Sequence, residues 1–313
     1  MTAPILVCGR RGQVATDLRE TGEAAGLSLH ALGRPELDIT GADAIARALD
    51  GLRPAAVINA AAFTAVDRAE AEPDAAHLLN RDGPARLARA CAERGLPLIH
   101  LSTDQVFDGT KDGPYTEDDE PNPLCVYGAS KIAGERAVMA ASGDHLVVRV
   151  SWVFGPSGEN FVTKVLDWAR ARDKLSIVSD QRGRPTYSPD LSRALLELAG
   201  RMTAAGGERP RGLLHLAGAT TLTRFAQAEA VLAGSAARGG PTARVEPVRT
   251  ADFPVPAMRP LNAALDASRA RERFGIGLGS FADDLDRTLD RLLGPKVRPS
   301  ARAGAGLRGG ARG

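Results

Sequence analysis

Short apolar runs alternate with longer amphipathic stretches through the first half of the chain. Ile5–Cys8, Ser28–Leu32, Ala56–Asn59, Leu98–Leu101 and Leu146–Val150 are rich in Leu, Ile and Val and lack the strict polar alternation of a one-sided sheet. Such runs read as strands buried on both faces. Between them the spacing of apolar positions predicts helices over about residues 12–26, 41–52, 74–94 and 124–142. Strand–helix–strand alternation of this kind implies an α/β fold, a doubly wound parallel sheet with helices on both faces. Pro54 and Pro97 stand just ahead of two of the runs, where a missing amide proton costs little.

Beyond residue 150 the rhythm loosens. Helices are expected over about 159–172, 190–203, 221–235 and 279–294, with a strand-like piece at Leu213–Leu216. The division expected is a nucleotide-binding domain over 1–150 and a smaller lobe over 151–295, some segments of which return to the sheet. From 296 to 313 the chain is Gly, Ala and Arg with little to bury, and disorder is expected. Lys+Arg 40 against Asp+Glu 38 gives a net charge of +2, so neither nucleic acid nor an anionic membrane is implied as a partner. No apolar stretch approaches membrane-spanning length, and no basic-then-apolar leader is present. Cys8, Cys91 and Cys125 are odd in number and widely spaced, which argues against a disulfide framework or a metal site and fits a reducing cytoplasm.

The first run ends in Cys8-Gly9-Arg10-Arg11-Gly12-Gln13-Val14-Ala15 and leads into a helix. Gly9 permits a tight turn, and Gly12 lets a pyrophosphate reach the amides at the positive end of the helix, as in a Rossmann-type dinucleotide site. The spacing is GxxGxxA, weak alone, but its place after the first strand of a βα array gives it meaning. The second strand closes at Leu32-Gly33-Arg34 without the acidic residue that would hold a ribose 2′-hydroxyl. Arg10, Arg11 and Arg34 could instead gather around a 2′-phosphate, which favours NADPH and leaves NADH open.

Tyr127-Gly-Ala-Ser-Lys131 places a phenol and an ammonium four residues apart on one helix face. With three Tyr in the chain, a YxxxK spacing arises by chance with a probability of about 0.05, so context decides. The context is Leu101-Ser-Thr-Asp104, closing the fourth strand at the edge where open α/β sheets bind ligands. Carbonyl reduction needs a proton donor beside the hydride donor. A Tyr hydroxyl whose pKa a nearby ammonium lowers suits that task, with Ser102 or Thr103 holding the carbonyl. Trp152, just after the fifth strand, is placed to stack on a base or sugar. Arg182, Arg184 and Arg259 are candidates for a substrate diphosphate.

Residues 4–293 resemble the dTDP-4-dehydrorhamnose reductase family of the extended short-chain dehydrogenase/reductase superfamily. The blocks that carry the resemblance are GRRGQV at 9–14, LDIT at 37–40, NAAAFTAVDRAE at 59–70 and STDQVFDG at 102–109. They continue with YGASKIAGE at 127–135, RVSWVFG at 149–155, ENF at 159–161, DQRGRPT at 180–186 and RPLNAAL at 259–265. The resemblance implies reduction of the 4-keto group of dTDP-6-deoxy-L-lyxo-4-hexulose to dTDP-L-rhamnose. It implies Thr103, Tyr127 and Lys131 as the catalytic set. Gly9, Gly12, Gln13, Val14, Asp38, Ile39, Ala61, Ala62 and Phe63 would border the cofactor, and Asp104, Val106, Trp152 and Asn160 would line the sugar-nucleotide site.

The chain departs from the family pattern at Ala15, where a third Gly is usual, at Phe63, where Tyr is common, and at Gln105, where Tyr is typical. Some relatives dimerise through a metal held by carboxylates after the DQxGxPT block. Here Tyr187–Arg193 carries one acidic residue, so no metal is expected and the chain is read as a monomer or weak homodimer. Two alternatives stay open. One is a 4-ketoreductase for another dTDP-deoxysugar; the other is a non-catalytic regulatory subunit, of which the family holds an example.

Overall fold

The computed structural model describes residues 3–297; the Gly/Arg-rich tail expected beyond it lies outside the described residues. Six strands build the central sheet: β1 (Ile5–Cys8), β2 (Leu29–Leu32), β3 (Ala56–Asn59), β4 (Leu98–Thr103), β5 (Leu146–Val150) and, from the second half of the chain, β10 (Gly212–Leu216). All neighbours are parallel, in the order β10-β5-β4-β3-β1-β2. Because β1 pairs β2 on one side and β3 on the other, the connections leave β1 in opposite directions. The crevice between the C-terminal ends of β1 and β3 is therefore where a ligand fits.

Successive side chains of β1 serve opposite faces. Leu6 and Cys8 pack with Ile45 and Leu49 of α2 (Ala42–Leu52), Leu87 and Cys91 of α5 (Gly83–Glu93), and Val138 of α6 (Val126–Ala141). Val7 packs on the other face with Leu18 of α1 (Gln13–Ala24), Leu191 and Leu195 of α8 (Ser188–Thr203), and Phe274 of α10 (Ser268–Phe274). The reading of every run as doubly buried fails at β2. It is an edge strand, and all four of its residues keep some exposure.

Between β3 and α5 the single helix expected over 74–94 is interrupted. Short helices α3 (Val66–Ala71) and α4 (Pro73–His77) are followed by a π-helical turn at Leu78–Asp82 that carries buried Asn80. Asn80 Oδ1 accepts from Phe63 N (2.8 Å), and its Nδ2 donates to Phe63 O (3.1 Å) and Ser130 Oγ (3.0 Å), fastening the loop after β3 to α6.

A second core forms after β5. It joins Phe154 of β6 (Val153–Phe154), α7 (Phe161–Ala171), α9 (Arg224–Ala236) and α11 (Phe281–Leu293) to the parallel pair β7 (Lys174–Val178) and β12 (Arg244–Val248). Two-residue strands add two small pairings: β8 (Arg182–Gly183) runs antiparallel to β11 (Leu222–Thr223), and β9 (Thr186–Tyr187) runs parallel to β6. Among the described residues no helix is long and apolar enough to cross a membrane.

One interaction fixes α6 against the sheet. Glu135 accepts from Arg149 Nε (2.9 Å) and Nη2 (2.7 Å), and also takes a short hydrogen bond from Ser102 Oγ. Arg149 and Glu135 are 2% and 0% exposed, and the guanidinium lies 5.0 Å over the Phe107 ring. A buried pair is costly to break because the surviving charge is left without a partner. Glu135→Gln should therefore lower the unfolding free energy by about 3 kcal/mol. Urea unfolding would show this as a lower midpoint at unchanged slope; a loss under about 0.5 kcal/mol would mean the pair does not hold α6.

Candidate active site

The turn after β1 forms as its glycines require. Gly9 has φ +119°, a region that side chains avoid, and Gly12 caps α1 with no side-chain acceptor. The first amides of α1 are thus left for an anion. A cleft of about 580 Å³ opens here, lined by Gly9, Arg10, Arg11, Gly12, Arg34, Asp38, Ile39, Ala61 and Ala62. Arg10 is drawn to Glu36 (2.7 Å), whereas Arg34 also lines the adjoining cavity beside Phe63. Asp38 accepts from Thr40 N (2.9 Å) and Oγ1 (2.8 Å), and these bonds hold its carboxyl below the usual range. Ile39 turns into the core, Val14 packs at its edge, and Ala15, in place of a third glycine, is buried under α1. Gln13 Nε2 is buried with no partner among the described residues.

Thr103 ends β4, and Tyr127 and Lys131 project from the first turns of α6 toward it. All three are buried. Burial pushes the Tyr127 phenol above its ordinary pKa and the Asp104 charge adds to this, while a hydrogen bond with Thr103 opposes them. Burial pulls Lys131 down to about 8 against the attraction of Glu135. Lys131 Nζ donates to Leu101 O (2.6 Å) and lies 3.5 Å from His100 Nε2.

That histidine belongs to a chain of contacts with a defined polarity. Ala61 N donates to Asn59 Oδ1 (3.1 Å), which fixes the Asn59 amide, and Asn59 Nδ2 then donates to His100 Nδ1 (3.0 Å). Burial and the Lys131 charge keep His100 neutral, so its single proton sits on Nε2, facing Lys131. A donor aimed at Nζ disfavours the ammonium form and adds to the burial effect.

A second cavity, of about 360 Å³, is lined by Asp104, Gln105, Trp152, Asn160, Arg224 and Arg259, among others. Asp104 accepts from Thr103 Oγ1 (2.9 Å) and Ser151 Oγ (2.8 Å); burial lifts its pKa to about 6 against both bonds. Asn160 caps α7 and donates to Gly155 O (2.9 Å). Four expected positions stand differently. Val106 is fully buried in a cluster with Phe107, Tyr115 and Ile132, with its side chain away from the cavity. Arg182 turns to the carbonyls of Lys111 (3.5 Å) and Asp112 (2.5 Å), and Arg184 to Thr221 Oγ1 (3.0 Å). Trp152, at φ +45°, carries the Arg224 guanidinium 3.5 Å from its ring centroid, so that face is not open for stacking.

Asn59, His100, Glu135 and Arg224 escaped the sequence reading. A signal existed for the middle two: His100 interrupts an apolar strand, and Glu135 follows Lys131 by four residues on the same helix face. A polar group in either place must find a partner.

A parallel sheet with an open helix N-terminus after its first strand, and a buried Tyr–Lys pair beside it, defines an oxidoreductase of the short-chain dehydrogenase/reductase class. A family model described as RmlD substrate binding domain matches residues 2–293, and the chain belongs to that family. It is 38% identical over 289 residues to a dTDP-4-dehydrorhamnose reductase of Sinorhizobium fredii, covering 92% of this chain and 97% of that one. The Escherichia coli enzyme of the same name is 33% identical over 297 residues, covering 92% and 98%. A crystal structure of dTDP-4-dehydrorhamnose reductase from Bacillus anthracis in complex with NADP superposes with a TM-score of 0.86 at 29% identity, covering 92% and 99%.

If His100 helps hold Lys131 near neutrality, His100→Gln, which can present an oxygen to Nζ, should raise the Lys131 pKa from about 8 by about 1 unit. Carbon-13 NMR of labelled lysine would read the titration directly. An unmoved Lys131 titration would remove His100 from this role.

Proposed function

We propose that the protein reduces the 4-keto group of dTDP-6-deoxy-L-lyxo-4-hexulose to dTDP-L-rhamnose with NADPH. The observation that carries this reading is the buried Thr103–Tyr127–Lys131 group, on a chain that also holds a dinucleotide-shaped cleft after β1 and a cation-lined cavity beginning at Asp104, the residue after Thr103. The cleft suits the cofactor. The uncapped α1 terminus would take the pyrophosphate, Gln13 Nε2 lacks a partner, and Arg34 and Arg11 stand where a 2′-phosphate would lie. When bound, NADPH supplies the hydride that reaches the sugar C4.

The chain's own residues handle the proton. In this reading Thr103 Oγ1 orients the carbonyl oxygen, and Tyr127 transfers its hydroxyl proton to that oxygen as the carbonyl becomes an alcohol. The phenolate left behind is stabilised by the Lys131 ammonium, which also serves the nicotinamide ribose. Since Lys131 loses its proton near pH 8, this support fades as pH rises through that value, and reduction should slow above it. Residues 1–150 supply the cofactor side and 151–295 mainly the substrate side. The chain is read as a monomer or weak homodimer. Three free, buried cysteines support a reducing, cytoplasmic setting.

The test is oxidation of NADPH, followed at 340 nm, with the enzymatically generated keto-sugar. Rapid turnover is expected for this substrate above other dTDP-4-keto-sugars; preference for one of those would move the assignment to Gln105, which lines the cavity beside Thr103. Tyr127→Phe should lower turnover by about 10²–10⁴ with NADPH binding retained, and unchanged turnover would remove Tyr127 as proton donor. Arg34→Ala should cut the preference for NADPH over NADH by about 10-fold, the scale of one charge-assisted contact. An equal effect on both cofactors would assign Arg34 elsewhere.

A further inference from the structure

Among the described residues, the second cavity holds a cation with no direct ion pair, its nearest charge partner Asp104 acting only at a distance. Arg224 opens α9 directly after β11, and its backbone N donates to Gln181 O (3.1 Å), which fixes where the side chain starts. The guanidinium lies over two aromatic rings, 3.5 Å from the Trp152 centroid and 4.7 Å from that of Phe161. The indole in turn rests on backbone, since a Cβ at Gly183 would come within 2.7 Å of its Nε1 and 2.8 Å of its Cδ2. Trp152 is thereby a fixed platform, and Arg224 is held flat on it by attraction between cation and ring.

The donors of this guanidinium are largely unspent. Nη1 donates to Gln227 Oε1 (3.0 Å), which steadies the group from behind; Gln227 is itself fully buried. Five N–H groups are available on a guanidinium, and no carboxylate approaches within 4.0 Å among the described residues. The neighbouring cations are already engaged: Arg259 pairs with Asp67 (3.0 Å) and Lys164 with Glu159 (2.8 Å). Half-buried and in no direct ion pair, Arg224 has its pKa pulled down to about 9 by burial and by Arg259, against the attraction of Asp104 in the same cavity. A planar donor fork, faces covered by rings and edge open to a cavity, matches a phosphate that accepts two parallel hydrogen bonds.

We propose that Arg224 is the residue that anchors the diphosphate of the nucleotide-linked sugar, using Trp152 and Phe161 as its support. Trp152 then acts through Arg224, as a shelf for the anchor, and the base lies elsewhere along the cavity. This rests on the nucleotide-sugar reading above.

Both tryptophans of the chain, Trp152 and Trp168, line this cavity, so intrinsic fluorescence reports on it alone. The experiment titrates the full chain with dTDP and, separately, with thymidine, and measures KM and kcat for the keto-sugar. Arg224→Gln should weaken dTDP binding by about 10–100-fold while changing thymidine binding by no more than about 2-fold. It should raise KM far more than it lowers kcat, with NADPH affinity unchanged as the control for folding. Arg224→Lys, a point charge that cannot lie flat with two parallel donors, should recover only part of the loss. Equal weakening of dTDP and thymidine, or no weakening of either, would overturn the proposal and leave Arg224 as wall packing. A wild-type chain that binds NADPH but neither dTDP nor thymidine would overturn the nucleotide-sugar reading together with it.

Discussion

The position of α6, which carries Tyr127 and Lys131, depends on one buried ion pair. Glu135 and Arg149 meet where α6 crosses β4 and β5, and Ser102 joins them from the residue before Thr103. Glu135 lies two helical turns beyond Tyr127 and one beyond Lys131, so the clamp sets the rotation of the helix that carries both. It also sets the height of α6 above Thr103, because Ser102 and Thr103 are consecutive on one strand. An apolar contact of similar area would bind the helix to the sheet without fixing its rotation. The placement of Tyr127, the proposed proton donor, is thus fixed by a charge pair outside the proposed chemistry.

Close approach of backbones completes this placement, and it needs glycine. A Cβ on Gly134 would strike the carbonyl oxygen of Asn80, and one on Gly128 that of Gln105. The first glycine lets α6 settle on the π-helical turn, whose Asn80 holds the loop bearing Phe63; the second lets it settle on the turn after Thr103. The loop after β3, Tyr127 and the end of β4 are in this way tied to a single helix.

The sequence made the sheet legible because burial on both faces leaves a strong pattern. Four of the five early runs became interior strands with nearly the boundaries that periodicity marks. The fifth, β2, gained the edge, which depends on strand order and which no local pattern encodes. The pair β7 and β12 was missed for a related reason. In Lys174–Val178 buried and exposed residues alternate, and the partner stands seventy residues away, so neither run signals the other. The YxxxK spacing and the STD end of β4 singled out Thr103, Tyr127 and Lys131, which the fold brings together, but their environment was hidden. His100, Glu135 and Arg149 read as lone polar residues in apolar or helical stretches, and only the fold supplies their partners. Arg224 carried no signal, since a chain rich in arginine gives no reason to single one out.

Lys131 and Arg224 show two ways of keeping a cation inside a site without neutralising it. Lys131 has a backbone carbonyl and a histidine of fixed tautomer beside it, with its nearest carboxylate committed to Arg149. It is consequently poised near 8, where it can give or take a proton. Arg224 has aromatic rings in place of a carboxylate, and a guanidinium keeps its charge across the working range of pH. The same shortage of counter-charge therefore has different results: on a lysine it creates a titrating group, and on an arginine a standing demand for an anion. On the proposed reading, the lysine serves the group where a proton moves and the arginine the place where a phosphate is held.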